Sequence, residues 1–389
     1  MISHHGGKNV RADDAEGSYA PGVSSDATTW FVATSQEKKR RVTIVDVARR
    51  AGVNKGTVSR ALRGMDGVGE ETRRRILAAA DELDYSASEL GMALATGSTR
   101  TVGIVLPSLR SWYFSEVASG ASEVLSAAGF RIELINLDID SDFLQIGSEQ
   151  FARLFRQLGA GRSRDALLFA GTTSVPDAQE GKALVPVAAH GGPLSTAPGL
   201  FVDHREGGRL VARHLAGLGH TSFAMVEGQM LGKLDVSIWE LRAAGFLDGL
   251  AEAGHDADAV RRLRPGDCHS RDGELVGRQL LASADPLPGA VFCQSDELAF
   301  GLIASLRRAG VLCPRDISVA GFDDHPMSHL WDLTTVDQHA HAQGKRAALA
   351  LLEVLGDTRR DETASLEGTE QLRVDLIVRD STAPYVTRR

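Results

Sequence analysis

The sequence predicts a small all-α helix-turn-helix headpiece followed by an α/β core, and that core is expected to contain two doubly wound parallel-sheet subdomains. Two patterns predict this fold class. Apolar residues between positions 43 and 83 recur at helical spacing. From Thr101 onward, short apolar runs that suit buried parallel strands alternate with helical stretches. The core is longer than one such sheet requires, so a ligand cleft is expected between two similar halves.

Residues 43–62 are expected to form two short helices joined by a turn at Gly52. Thr43 can cap the first helix while Asp46 reaches back to it. The second helix, over about residues 55–62, has small polar side chains and Arg60. This layout is the one needed to place the N-terminus of a helix in the major groove of DNA.

Charge is distributed unevenly along the chain. The whole protein carries a net charge of −8, which by itself argues against a nucleic-acid partner. Between positions 38 and 63, however, nine basic residues stand against Asp46 alone. A basic head on an acidic body can bind phosphate locally while the body is repelled from the duplex. The alternative interpretation of such a run is a solvated surface, but its overlap with the helical motif favours DNA binding.

A third helix is predicted over about residues 70–83, with its inward face formed by Ile76, Leu77, Ala80 and Leu83. In the core, strands are predicted at 101–106, 131–137, 166–170, 223–227, 290–293 and 317–322. Helices are predicted near 114–128, 148–158, 205–218, 239–253, 273–283, 297–310 and 340–355. Residues 1–38 show no apolar period and are expected to be a disordered extension.

Other classes of protein are disfavoured by what the sequence lacks. No apolar run approaches the length of a membrane span and no signal-peptide pattern opens the chain, so a cytoplasmic protein is expected. The three cysteines lack paired spacing. Cys268-His269 could suggest a metal site, but this pair has no further ligands at suitable spacing. We therefore expect no metal, no cofactor and no enzymatic activity.

The chain resembles the LacI/GalR (lactose-repressor) family of transcription regulators. The resemblance extends over about residues 42–383 and lies in motifs that occur in a consistent order. They are VTIVDVARRAGVNKGTVSRAL (42–62), VGEETRRRILAAADELDY (68–85), TRTVGIVLP (99–107), GLGHTSFAMVEG (217–228), QSDELAFG (294–301), DISVAGFDD (316–324), LTTVDQ (333–338) and VRDST (378–382). The resemblance implies a headpiece, a hinge helix and a core like periplasmic sugar-binding proteins, assembled as a homodimer or a tetramer on a palindromic operator.

The domain boundaries are predicted from this resemblance. The extension covers residues 1–40, the helix-turn-helix domain 41–86, the hinge helix or linker 87–99 and the core 100–389. Within the core, the first subdomain is expected at about 100–200 and 331–355, and the second at about 201–330 and 370–383.

The resemblance also implies which residues contact DNA. The start of the second helix reads bases in the family, and here those positions hold Lys55, Gly56 and Thr57, with Ser59 and Arg60 following. Lys55 suits guanine and Arg60 suits guanine or phosphate, whereas Gly56 departs from the family by offering no side chain. Thr43, Ser59 and Arg63 are expected to hold phosphates. Leu94 resembles the hinge leucine that enters the minor groove, although Ala87-Ser88 replace the family's usual Pro-Asn before it.

Effector-binding residues are implied in the same way. Trp112, Tyr113 and Phe114 follow the first core strand, where open α/β sheets bind ligands; core packing is the alternative for these rings. Arg242 matches an arginine that clamps ligand hydroxyls or carboxylates, and Asp296 matches an aspartate that accepts from sugar hydroxyls or caps the helix at 297. Trp331 and Gln338, near the second crossover, complete the set.

The sequence thus predicts a DNA-binding repressor whose operator affinity is set by a small molecule, with a sugar as the first choice. The alternative is a co-repressor-dependent regulator whose effector is a nucleobase or another metabolite. Two further classes are a solute-binding receptor and a sugar-processing enzyme. The basic head argues against the receptor, and the lack of a placed general base or metal set argues against the enzyme.

Overall fold

A computed structural model describes residues 42–62, 65–85, 98–137, 164–170, 183–187, 199–228, 237–265, 269–356 and 369–386. The chain divides into two compact units, Met1–Ser88 and Glu89–Arg389. Several sequence predictions fall outside the described residues: the extension over 1–38, Arg63, Cys268, the helix near 148–158 and the hinge with Leu94.

The described part of the first unit contains three helices, α1 (Ile44–Ala51), α2 (Lys55–Leu62) and α3 (Glu70–Glu82). They enclose a small core made of Val47, Ala48, Ala51, Val58, Ala61, Ile76, Ala79 and Ala80. The prediction of an inward Leu77 is wrong, because this side chain is 45% exposed and Ala79 takes the inward position. Small alanines on α3 let the three short helices approach closely around Ile76, which is fully buried.

Two local signals fix the ends of α1. The Asp46 carboxylate accepts hydrogen bonds from the backbone N–H of Thr43 at 2.9 Å and from its hydroxyl at 2.7 Å. Asp46 therefore reaches back as the sequence predicted. Gly52 ends the helix with φ 65°, a left-handed conformation that a residue with a side chain adopts only at a cost.

The second unit is built on two parallel sheets. The larger sheet has the order β11-β5-β4-β3-β1-β2. Its strands are β1 (Thr101–Leu106), β2 (Arg131–Asn136), β3 (Ala166–Ala170), β4 (Ala183–Val187), β5 (Gly199–Val202) and β11 (Thr369–Leu372). Strand β1 is buried along its whole length, as expected for an apolar strand in the middle of a covered parallel sheet.

The smaller sheet has the order β7-β6-β8-β9, also all parallel. Its strands are β6 (Phe223–Val226), β7 (Arg261–Leu263), β8 (Ala290–Cys293) and β9 (Ser318–Ala320). A separate antiparallel ribbon joins β10 (Thr335–Asp337) to β12 (Asp375–Ile377). The fold class is as predicted. One assignment differs: β11 was expected in the second subdomain, but it pairs with β5 in the larger sheet.

Among the described residues, six helices cover these sheets: α4 (Trp112–Ala127), α5 (His204–Gly217), α6 (Ser237–Glu252), α7 (Ser270–Ala282), α8 (Asp296–Arg308) and α9 (Ala340–Val354). They pack in three pairs, α4 with α9, α5 with α6 and α7 with α8. Each pair crosses at reciprocal glycines, namely Gly120 and Gly344, Gly208 and Gly245, and Gly273 and Gly301. A Cβ atom at Gly245 would lie 1.8 Å from the carbonyl oxygen of Arg205, so the backbones touch at these crossings.

Most core elements that the sequence predicted are present within one to three residues of their expected bounds. The strands that the sequence did not predict are β4, with five residues, and β5, β7, β10, β11 and β12, with three or four residues each. Runs of that length do not establish an alternation that a sequence pattern can detect.

Candidate DNA-reading surface and effector site

Helix α2 presents its first turn to solvent. Lys55, Gly56 and Arg60 are exposed, while Val58 and Ala61 on the opposite face are buried in the small core. The Asn54 side-chain oxygen caps the helix by accepting from the backbone N–H of Thr57 at 2.8 Å and from its hydroxyl at 3.0 Å. The sequence reading did not identify Asn54, although an asparagine directly before a helix is a recognised capping signal.

The structure brings five of the predicted DNA contacts together on α2: Lys55, Gly56, Thr57, Ser59 and Arg60. Gly56 is close to the cap, because a Cβ there would lie 3.3 Å from the Asn54 oxygen. Thr43 lies apart from this set at the start of α1, and its hydroxyl is held by Asp46. An exposed helix with such side chains can present them to base edges in a major groove.

Of the predicted effector residues, Arg242 and Gln338 lie in a second site, together with residues near strand ends of both sheets. Gln294 and Gln338 directly follow β8 and β10, whereas His204 and Asp323 lie two and three residues after β5 and β9. Arg242 contacts His204, Gln294 and Asp323, and Gln338 contacts Asp323, so these residues meet at one place. In open α/β sheets, ligands bind outside the carboxyl ends of the strands.

Arg242 is the centre of this site and is only 3% exposed. Its guanidinium donates to the carbonyl oxygen of Gln294 at 2.5 Å and to the His204 ring at 3.3 Å, and lies 3.7 Å from the Asp323 carboxylate. It stacks 3.7 Å above the centre of the Phe322 ring. A buried guanidinium keeps its charge, so these partners are needed to offset the cost of removing it from water.

A chain of polar side chains continues from Arg242 toward the larger sheet. Gln338 donates to Asp323 at 2.5 Å, and its backbone carbonyl accepts from Gln343. The Tyr113 hydroxyl in turn donates to Gln343 at 2.7 Å. Burial raises the pKa of the Asp323 carboxyl well above its usual range despite the neighbouring Arg242. Tyr113, Arg242 and Gln338 therefore belong to one connected cluster.

Two polar atoms in this region are buried without a hydrogen-bond partner in the part of the chain that the structure describes. They are the indole N–H of Trp239 and the side-chain oxygen of Gln338. Trp239 belongs to the same surroundings, since the Arg242 guanidinium lies 5.1 Å from its ring and its backbone carbonyl accepts from Gln294. One donor and one acceptor are thus left for a further molecule.

Asp296 has a different environment from the one predicted. It is fully buried, and its carboxylate accepts from the Ser328 hydroxyl at 2.6 Å, the Thr335 hydroxyl at 2.5 Å and the backbone N–H of His325 at 2.8 Å. Burial raises its pKa to about 6. The capping role is wrong, because Ser295 caps α8 and Asp296 is its first residue.

The predicted aromatic residues divide into two groups. Trp112 faces His325, with ring centres 4.9 Å apart, and His325 in turn contacts Phe300 at 5.6 Å. Trp331 continues this series by packing on Phe300. Phe114 is buried in the main core, so the packing alternative holds for that ring. The sequence reading missed His204, Trp239 and His325 as neighbours of the site, although His204 lies two residues after a strand end.

Neither a metal site nor a membrane-spanning helix is present among the described residues. No group of three His, Cys, Asp or Glu side chains in the described ranges could hold a metal ion. None of the helices in those ranges has the length and apolar character needed to cross a membrane.

Two protein-family models match parts of the chain. The model of bacterial regulatory proteins of the lacI family matches residues 43–88, and the periplasmic binding protein-like domain matches residues 212–382. The chain is 30% identical over 323 residues to the HTH-type transcriptional repressor PurR of Vibrio atlanticus (strain LGP32), and this match covers 81% of the chain and 92% of that protein.

Solved structures agree on the fold. The lac repressor dimer bound to operator and the anti-inducer ONPF aligns with a TM-score of 0.72 at 24% identity, over 88% of this chain and 100% of that one. A LacI family regulator from Enterococcus faecium with bound ribose aligns with a TM-score of 0.60 at 26% identity, over 74% of this chain and 100% of that one. The chain belongs to the LacI family and is a DNA-binding transcription regulator rather than an enzyme.

Proposed function

We propose that the protein represses transcription as a homodimer on a palindromic operator, and that a small molecule bound between its two sheets sets its affinity for that operator. A sugar is the effector that we favour. Helix α2 reads bases through Lys55, Thr57 and Arg60, while Thr43, Ser59 and Arg63 hold phosphates. Leu94, outside the described residues, is assigned the minor-groove contact between two paired headpieces.

The observation that carries the effector proposal is the polar cluster around Arg242. It joins residues of both sheets, and it leaves the Trp239 N–H and the Gln338 oxygen without partners in the described chain. A molecule that offers both an acceptor and a donor, as each hydroxyl of a sugar does, satisfies both atoms. The similarity to a ribose-bound regulator at 26% identity supports the same class of ligand.

The connections between the sheets suggest how a ligand acts. Three segments cross between them, near residues 202–204, 337–340 and 372–375. Gln371 donates to Asp203 at 2.6 Å, and the His339 ring lies 2.8 Å from Asp375, so side-chain contacts tie these segments together. A ligand that draws the two sheets together rotates one half of the core, with its sheet, about these segments. In a dimer, this rotation changes the distance between the two headpieces. To reverse the occupancy of the operator, the ligand must favour one of the two arrangements of the core by several kcal/mol.

A thermal-shift screen of the full-length protein tests this proposal. D-Ribose, D-glucose, D-galactose, adenine, hypoxanthine and guanine are added separately, because binding to the native state alone raises the melting temperature. We expect a pentose or hexose to raise it, and operator binding measured with that compound to weaken. Stabilisation by a nucleobase with tighter operator binding would instead support the co-repressor alternative.

The DNA side is tested independently of the effector. The full-length protein is incubated with a random duplex library at modest ionic strength, and bound fragments are sequenced. We expect enrichment of one palindromic sequence, since two equivalent headpieces read two half-sites. Recovery of no sequence above the input library would refute sequence-specific binding.

A further inference from the structure

Helix α2 has only eight residues and lies at the surface, so something must hold it in place for it to read bases. Isolated helices of this length are not stable in water. Asn54 satisfies the start of the helix, but the last four carbonyl groups of any helix lack partners within it. What binds these carbonyl groups decides how the far end of α2, including Arg60, is positioned.

Arg73 on helix α3 supplies those partners. One guanidinium nitrogen donates to the carbonyl oxygen of Ala61, in the last turn of α2, at 3.0 Å. The other donates to the carbonyl oxygen of Met65 at 2.7 Å. The backbone N–H of Met65 in turn donates to the carbonyl oxygen of Arg60 at 3.1 Å. Arg73 therefore binds the residue that follows Arg60 and also the residue whose N–H bonds the Arg60 carbonyl.

Its charge and anchoring suit this task. A cation at the C-terminal end of a helix interacts favourably with the helix dipole. Arg73 is half-buried and belongs to the first turn of α3, where its own N–H bonds to Gly69. Further along α3, Ile76 and Ala79 are buried in the small core. Because the small core fixes α3 in place, the Arg73 guanidinium holds the exposed end of α2 in a defined position.

We propose that Arg73 is a positioning residue for DNA recognition, which sets the geometry of Arg60 on α2 without touching DNA itself. Base readout is sensitive to such geometry, because paired hydrogen bonds to a base edge require close alignment. Phosphate contacts tolerate more displacement and carry no sequence information. Loss of Arg73 is therefore expected to reduce discrimination between sequences more than it reduces affinity for DNA in general.

The neighbouring arginines provide matched controls. The Arg74 side chain is exposed and makes no hydrogen bond or ion pair with any described residue. Arg75 donates to the carbonyl oxygen of Ala51 at the end of α1, at 3.0 Å. Arg75→Ala removes an equivalent hydrogen bond at another helix, so it reports a purely structural loss. Arg74→Ala reports the loss of one positive charge.

The experiment measures the affinity of full-length protein for the palindrome that it selects and for a random duplex, over a series of salt concentrations. We expect Arg73→Ala to lower the ratio of the two affinities about tenfold, with random-duplex affinity and its salt dependence within about twofold of the parent. Arg73→Lys, which can bond only one carbonyl well, is expected to lower the ratio about threefold. Both controls are expected to retain the parental ratio.

Three results would overturn the proposal. They are an unchanged ratio in Arg73→Ala, a proportional loss of both affinities, or an equal fall of the ratio in Arg75→Ala. If Arg73→Ala unfolds the headpiece, Arg73→Lys decides the question by the same ratio. A parent protein that selects no palindrome would instead contradict the proposed function, and the two failures are therefore distinguishable.

Discussion

Two arginines, Arg60 on α2 and Arg242 in the core, show how differently one side chain is used in this protein. Arg60 is exposed and extends from a helix whose backbone is held by its neighbours. Arg242 is 3% exposed and surrounded by a carbonyl, an imidazole, a carboxylate and an aromatic ring. The first can be removed without disturbing the fold. The second is part of the fold, so its binding role and its structural role must be separated by experiment.

The largest effect is expected for Arg242→Ala. This change leaves the buried Asp323 carboxyl without its cationic neighbour, and removing one partner from a buried pair typically costs roughly 3–5 kcal/mol. Denaturant unfolding of the core, followed by tryptophan fluorescence, measures the loss. Arg278→Ala is the control, because this arginine is 58% exposed and forms a surface ion pair with Glu274; a change within about 0.5 kcal/mol is expected there.

A second substitution sharpens that result. Asp323→Asn, added to Arg242→Ala, removes the uncompensated carboxyl and is expected to recover part of the lost stability. The double variant should still show no effector response in the thermal-shift screen if Arg242 contacts the ligand. A normal response would remove Arg242 from the effector site.

The pH dependence of Asp296 comes next in size. Burial raises its native pKa to about 6, above the ordinary value of 3.8. Between these two pH values the native state retains a proton that the unfolded state has released, so the stability contributed by this group falls as pH rises. The total fall is about 3 kcal/mol. We expect the unfolding free energy of the parent, minus that of Asp296→Asn, to decrease by about 2 kcal/mol from pH 4 to pH 7, because part of the total fall lies outside this range. Parallel pH profiles for the two proteins would contradict the assignment.

Arg60→Ala is expected to have no effect on stability and a specific effect on binding. Loss of a base contact should reduce discrimination between the selected palindrome and a scrambled duplex by ~1–3 kcal/mol. Competition binding measures this difference. Arg49→Ala, at an exposed end of α1, is the control and should weaken binding to both duplexes alike. Equal discrimination by Arg60→Ala and the parent would show that Arg60 does not read bases.

The smallest effect is expected at the start of α2. Asn54→Ala removes the cap that accepts from Thr57, which typically costs about 1 kcal/mol. Asn54→Asp keeps an accepting oxygen and should retain most of the stability. Thermal unfolding of the headpiece region, monitored by hydrogen exchange of the α2 amides, distinguishes the two variants. Equal protection of α2 in both would mean that its tertiary contacts suffice without the cap.

Long periodic segments made most of the fold predictable from the sequence. Strand β1 is a continuous apolar run, and the Thr43–Asp46 pair and Gly52 mark both ends of α1. Leu77 shows the limit of this reasoning. It lies close enough to the inward face of α3 to satisfy the pattern, yet the packing of three short helices selected the smaller Ala79.

The candidate sites were predictable to different degrees. Positions on α2 follow directly from the local motif, so five predicted DNA contacts lie on one helix. The core site depends on contacts between residues far apart in sequence, such as Tyr113 with Gln343 and Gln338 with Asp323. Asp296 illustrates why: its two oxygens are occupied by donors from the 325–335 segment, and no pattern around position 296 announces them.

The reciprocal glycines at the helix crossings restrict how the core can deform. Where two backbones are in direct contact, no layer of side chains remains that could repack as one helix slides along the other. Shear between paired helices is therefore unfavourable in each half of the core. Relative movement of the halves is left to bending at the three crossing segments, one of which includes His339 with a positive φ of 55°. Substitutions there should alter the responsiveness of the switch while both halves keep their shapes.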